Sequence, residues 1–146
     1  MLALFILLDF LTPPQGDKFY VKLYYADSQI KEEGWVRDNH KMDYWISYFP
    51  SGSRKEEGGY SNDVKTGFWI FYTEDELRLK EGHYTNGLAS GWWIFYEKGY
   101  IVRKGQYENG KRNGYVLHYQ DEELIRAEKY INDLKKGEWT DYNSFR

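Results

Sequence analysis

After Phe19 the chain carries short apolar and aromatic runs separated by polar turns, and no window of ten or more residues repeats its apolar positions at helical spacing. The runs "GFWIFY" (67–72), "GWWIFY" (91–96) and "GYVLHY" (114–119) are aromatic and β-branched, which suits a pleated strand. Between them lie "EGHYTNG" (81–87) and "KGQYENG" (104–110), each a second strand running into Asn-Gly. That dipeptide signals a hairpin, because a type I′ turn needs two successive residues at positive φ. Asn86-Gly87 and Asn109-Gly110 are therefore structural turns. "YSNDVKTG" and "YINDLKKG" put Asn-Asp at the same place, and since Asp tolerates that backbone less well than Gly, looser turns are expected there.

The pattern repeats. Tyr24, Tyr48, Tyr72, Tyr96, Tyr119 and Tyr142 close successive aromatic runs at intervals of 24, 24, 24, 23 and 23 residues. Five places before each stand Phe19, Asp43, Gly67, Gly91, Gly114 and Gly137. A second column holds Gly34, Gly58, Gly82, Gly105 and Glu128, followed two places on by Val36, Tyr60, Tyr84, Tyr107 and Tyr130. Each unit is one hairpin of two strands. The predicted fold is all-β: a single-layer antiparallel meander of stacked hairpin repeats, about ten or eleven strands in five and a half units over residues 19–146. The interval from second-strand Gly to first-strand Gly is constant, so the Asn-Gly hairpin is the rigid part. Length changes fall in the opposite turns.

Alternation along a strand sends Phe68, Ile70 and Tyr72 to one face and Trp69 and Phe71 to the other. The next unit does the same with Trp92, Ile94 and Tyr96 against Trp93 and Phe95. Toward the ends the second face turns polar, with Ser47 on one side and His118 and Asp141 on the other. Phe71, Phe95, Trp69, Trp93 and His118 are the candidate binding face; the competing expectation makes the Trp column core. Each glycine reads as part of a turn or a strand start.

Composition narrows the function. Aromatic residues make up 20% of the chain and the net charge is −3, a balance that offers no basic stripe for nucleic-acid phosphates. No Cys is present, so a disulfide framework and a thiolate metal site are excluded. The three His, His40, His83 and His118, form no H-x-x-x-H pair. The acid pairs Glu32–Glu33 and Glu56–Glu57 recur in register and are expected to be a solvated ladder of cross-strand pairs. No phosphate-cradling glycine loop occurs. The expectation is a protein that is not an enzyme and needs no cofactor. The variable turns are net acidic, with Glu74, Asp75 and Glu76 in one and Asp121, Glu122 and Glu123 in another, whereas the fixed turns are close to neutral. An acidic rim steers a basic partner.

Residues 1–18 stand apart. "MLALFILL" is an unbroken apolar run ended by Asp9, and Pro13-Pro14 terminate whatever it forms. It reaches the lower length of a signal-peptide core but lacks a basic start and a small-residue cleavage site. It reads as a shortened export signal or as an end cap, which leaves exported and cytoplasmic locations both open.

The unit Y-x-N-G-x-x-x-G-x-W-x-x-Y resembles the MORN repeat class, and more closely its bacterial variant of 23–24 residues, some members of which are labelled YwqK-family antitoxins. The resemblance spans Phe19 to Tyr142 and weakens at Asp43, Glu128 and Val116. It implies a single layer of hairpins and a role in protein or membrane-surface association, and it carries over no catalytic residue. "GWVRDNHKMDYWISYFPSG" also resembles cell-wall-binding repeats that hold choline or glycan between rings. The first expectation is a scaffold that binds a protein, antitoxin-like; the alternative is a carbohydrate- or choline-binding module. The oligomeric state is not readable.

Overall fold

In the computed structural model, which describes residues 16–140, eleven strands form one open antiparallel sheet in chain order. They are β1 (Phe19–Tyr24), β2 (Ile30–Arg37), β3 (His40–Tyr48), β4 (Arg54–Ser61), β5 (Val64–Tyr72), β6 (Arg78–Thr85), β7 (Leu88–Glu97), β8 (Tyr100–Glu108), β9 (Lys111–Gln120), β10 (Glu123–Ile131) and β11 (Leu134–Trp139). No helix occurs among the described residues. The apolar N-terminal run, Asp141 and Tyr142 lie outside them.

The fixed turns link β2–β3, β4–β5, β6–β7, β8–β9 and β10–β11. Both central residues of each take positive φ: 51° and 77° at Asn86-Gly87, 48° and 65° at Asn62-Asp63, 50° and 66° at Asn132-Asp133. The Asn-Asp turns are therefore not looser in geometry. Each later turn also docks on the hairpin before it: Asp63 N, Gly87 N, Gly110 N and Asp133 N donate to Lys41 O, Lys65 O, Ala89 O and Arg112 O at 2.9–3.1 Å. The Asp carboxylates add to this. Asp63 Oδ1 accepts from Lys41 N at 2.7 Å, and Asp133 Oδ1 from Arg112 N at 3.0 Å. What Asp loses at positive φ is offset by bonds that Gly cannot make.

On the opposite rim, residues 26–28, 50–52 and 74–76 form three-residue loops. Each ends in a positive-φ residue: Ser28 (69°), Gly52 (89°) and Glu76 (59°). Lys98-Gly99 and Asp121-Glu122 are two-residue turns, again with both φ positive. One residue fewer per loop accounts for the change in repeat length from 24 to 23.

The glycine column at 67 and 91 has a different origin from the one expected. These residues are neither turns nor strand starts; they lie inside β5 and β7. Gly58 pairs with Trp69 and the next pair is Gly59 with Thr66, so Gly67 and Phe68 bulge out of the ladder. Asp43-Tyr44 and Gly91-Trp92 do the same. Such a bulge demands positive φ at its first residue, found at Asp43 (53°), Gly67 (69°) and Gly91 (66°). Asp occupies it in the first unit because Asp and Asn tolerate the left-handed region better than other side chains.

Candidate functional site

A single-layer sheet has two faces and no interior between layers, so burial must come from neighbours on the same face. On the first face the indoles of β3, β5 and β7 lie flat on the second-column glycine of the preceding strand. A Cβ built on Gly34, Gly58 or Gly82 would stand 2.3–2.4 Å from a ring atom of Trp45, Trp69 or Trp93. Tyr60 and Tyr84 close the sides of Trp69 edge-on, at centroid distances of 5.1 and 6.1 Å. Lys65 caps it, its Nζ 3.8 Å from the ring centre. The bulge frees backbone carbonyls, and the indole N–H groups take them. Trp69 Nε1 donates to Gly59 O and Thr66 O at 3.1 and 3.2 Å; Trp45 Nε1 does likewise to Trp35 O and Met42 O. Trp69 and Trp93 are consequently 1% and 3% exposed. Both were candidates for direct ligand contact; they are core.

Phe71 and Phe95 lie on this face beside the indoles and are half-buried. Cations cover them: Lys80 Nζ is 4.5 Å from the Phe71 centroid, and Arg103 Cζ is 3.9 Å from that of Phe95. His118 continues their column but is engaged by Glu128, Nε2 to Oε2 2.9 Å. Three columns change together here. Val116 replaces Trp, His118 replaces Phe and Glu128 replaces Gly. With no indole to fill the space, Gln106 Oε1 takes the N–H of Tyr115 at the bulge. Glu128 also meets Lys135 Nζ at 3.0 Å. Burial works to raise the Glu128 carboxyl, but the hydrogen bonds from His118 and Lys135 outweigh it and hold the group at about 2.

The acid pairs split between the faces. Glu32 and Glu56 stay on the indole face and pair with Lys41 and Lys65 at 2.5 and 2.9 Å. Glu57, expected to be solvated, is only 7% exposed on the opposite face, as is Glu81 in the next unit. Each is reached by the phenol one strand later: Tyr72 donates to Glu57, Tyr96 to Glu81 at 2.7 Å, and Tyr48 to Glu33 at 2.6 Å. Arg54 and Arg78 lie at 3.4 and 3.0 Å from Glu57 and Glu81. Burial, and then the bond to Glu57, pushes the Tyr72 phenol up to about 12. The bond from Tyr48 holds Glu33 below its ordinary value against burial. These carboxylates are bound structural acceptors. Among the described residues no group of three or more His, Asp or Glu is placed to hold a metal ion.

A row of exposed rings stands on this second face, where the candidate set did not look. Tyr20, Trp35, Tyr44, Phe68 and Trp92 keep 39–51% of their surface in solvent. They lie at one level across the strands: Tyr20 opposes Trp35, Phe68 opposes His83, and Trp92 opposes Gln106. Tyr44, Phe68 and Trp92 each follow the positive-φ bulge residue, so the bulge aims one ring per unit outward. The signal was present in the chain as an aromatic after each of Asp43, Gly67 and Gly91, but only the bulge gives it meaning. The acidic candidates Glu74, Asp75, Glu76, Asp121, Glu122 and Glu123 are all exposed, on the rim of variable turns. Asn86, Gly87, Asn109 and Gly110 occupy the opposite rim. No protein-family model matches the chain, and no curated protein matches it significantly.

Proposed function

We propose that the chain is a non-catalytic, MORN-type repeat scaffold that binds another protein through the exposed aromatic row. One observation carries this reading: five large rings, one or two per unit, stand in solvent at a single level from β1 to β7. Contiguous apolar surface of this kind marks interfaces, and Trp and Tyr are the residues on which interface energy concentrates. The Glu–Tyr column on the same face fixes the backbone beneath the rings, so little ordering cost is added on binding. An antitoxin-like role would make the partner a toxin protein.

The glycan or choline reading ranks second. A sugar stacks best on rings lying in one plane, whereas Tyr20 and Trp35 meet at 79° and Phe68 and His83 at 58°. On the indole face, ring surfaces that could hold a quaternary ammonium are already covered by Lys65, Lys80 and Arg103. A net charge of −3 disfavours nucleic acid, and the acidic rim disfavours docking of that edge on anionic lipid.

The test pairs Phe68→Ser with Trp92→Ser. The wild-type chain should retain one protein from native lysate, and the double variant should lose it while unfolding at nearly the same temperature. A Trp emission shift on millimolar glycan or choline, or undiminished capture by the variant, would move the function elsewhere.

A further inference from the structure

A second row crosses the indole face, and its chemistry differs from that of the exposed rings. From β5 to β10 the directly opposed residues are Phe71, Lys80, Phe95, Arg103, His118 and Arg126. Aromatic or imidazole rings alternate with cations strand by strand. The same row begins, on β2 and β4, with Glu32 and Glu56, and those two acids are neutralised by Lys41 and Lys65. Among the described residues neither Lys80 nor Arg103 forms an ion pair; each lies over a phenyl ring. A guanidinium or ammonium stacked on a ring keeps N–H groups directed away from it. Arg126 Nε is buried and finds no hydrogen-bond acceptor, and Glu128 lies 3.9 Å from it while serving His118 and Lys135 more closely. The C-terminal half of the row therefore holds cationic donors in excess of the carboxylates beside them.

We infer that this row binds an acidic, extended peptide segment, laid across the strands with carboxylates on Lys80, Arg103 and Arg126. Spacing identifies the occupant. The three cations stand on β6, β8 and β10, two strands apart, which is about 10 Å at the ordinary interstrand distance. In a polyproline II segment every third residue faces the same way at intervals of about 9 Å, whereas same-side residues of a β-strand are about 7 Å apart. An Asp-x-x-Asp-x-x-Asp segment in polyproline II form matches the row. Its intervening residues would lie over Phe95 and His118. The surface is on the opposite side of the sheet from the exposed aromatic row and does not depend on it.

The experiment uses the full chain and a fluorescein-labelled (Asp-Pro-Pro)4 peptide, read by anisotropy. Binding should weaken as salt rises, and (Asp-Pro)6 and (Lys-Pro-Pro)4 should bind worse. Lys80→Glu with Arg103→Glu should reduce affinity by at least about tenfold, since like charges then face each other. Lys98→Glu with Lys111→Glu makes the same change of net charge on the rims and should leave affinity within about twofold. Lys80→Gln with Arg103→Gln decides the matter if the reversal variant unfolds, and should also lose affinity. Phe68→Ser with Trp92→Ser should not affect this peptide, which separates the row from the proposed protein interface. Absence of wild-type binding, equal losses in the two Glu pairs, or association with phosphatidylserine vesicles but not with the peptide would overturn the assignment.

Discussion

Phe68 and Trp69 are consecutive in β5, yet one is 45% exposed and the other 1%. Alternation sends them to opposite faces, but alternation alone does not decide which face is dry. Both faces of this sheet are rich in aromatics, and among the described residues no second layer covers either. The indole face is dry because a glycine on the neighbouring strand leaves room for each Trp to lie flat, flanked by Tyr and capped by Lys. On the other face the bulge turns a ring outward at the same level, and the dry positions are Glu57, Glu81 and Ala127, with the tyrosines that reach the carboxylates half-buried. One face uses rings as core; the other leaves them exposed to solvent above a polar foundation.

The largest expected effect tests that division directly. Trp69→Ala removes a buried ring and its two hydrogen bonds to bulge carbonyls and should lower stability by about 3–5 kcal/mol. Phe68→Ser, one residue away, should change it by less than about 1 kcal/mol, as exposed substitutions do. Chemical denaturation of the two variants measures both, and equal losses would mean that the second face is also core.

A smaller contrast separates the two acid columns. Glu57→Ala strands the Tyr72 phenol and Arg54 near a dry site, at about 1–3 kcal/mol. Glu56→Ala removes a partly solvated ion pair with Lys65 and should cost less than about 1 kcal/mol. The reverse order in unfolding midpoints would return the acid pairs to the solvated ladder that the repeats suggest.

A further test concerns pH. Glu128 is held at about 2, below its ordinary 4.5, so the folded state binds its proton less readily than the unfolded chain. Its contribution is complete above pH 4.5 and is lost as pH falls toward 2. Glu128→Gln should flatten the part of the acid-stability curve that this group supplies in that window. If wild type and variant keep parallel curves from pH 5 to 2, the His118–Glu128–Lys135 cluster does not couple to folding.

The period of 23–24 residues, two strands per unit, the antiparallel order and the rigid Asn-Gly hairpins were all legible from the chain. They rest on local rules: strand composition, positive φ at Asn-Gly, and columns kept in step. Trp69 and Trp93 could be named as core or as contact surface, but not assigned, because that choice depends on what stands opposite. The bulge at Asp43, Gly67 and Gly91 decided it. By inserting two residues it shifts the register past each Trp, sets a glycine beneath the indole, and offers the freed carbonyls to its N–H. The same shift points Tyr44, Phe68 and Trp92 outward. Glycine can mark a turn, a strand start or a bulge with one letter, and only pairing with the next strand distinguishes them. Cross-strand register likewise brought Lys80, Arg103 and Arg126 into line from positions 23 residues apart, and set His118 against Glu128. Local chemistry determined the repeat and its turns; the dry face, the exposed rings and the cation row follow from pairing between strands.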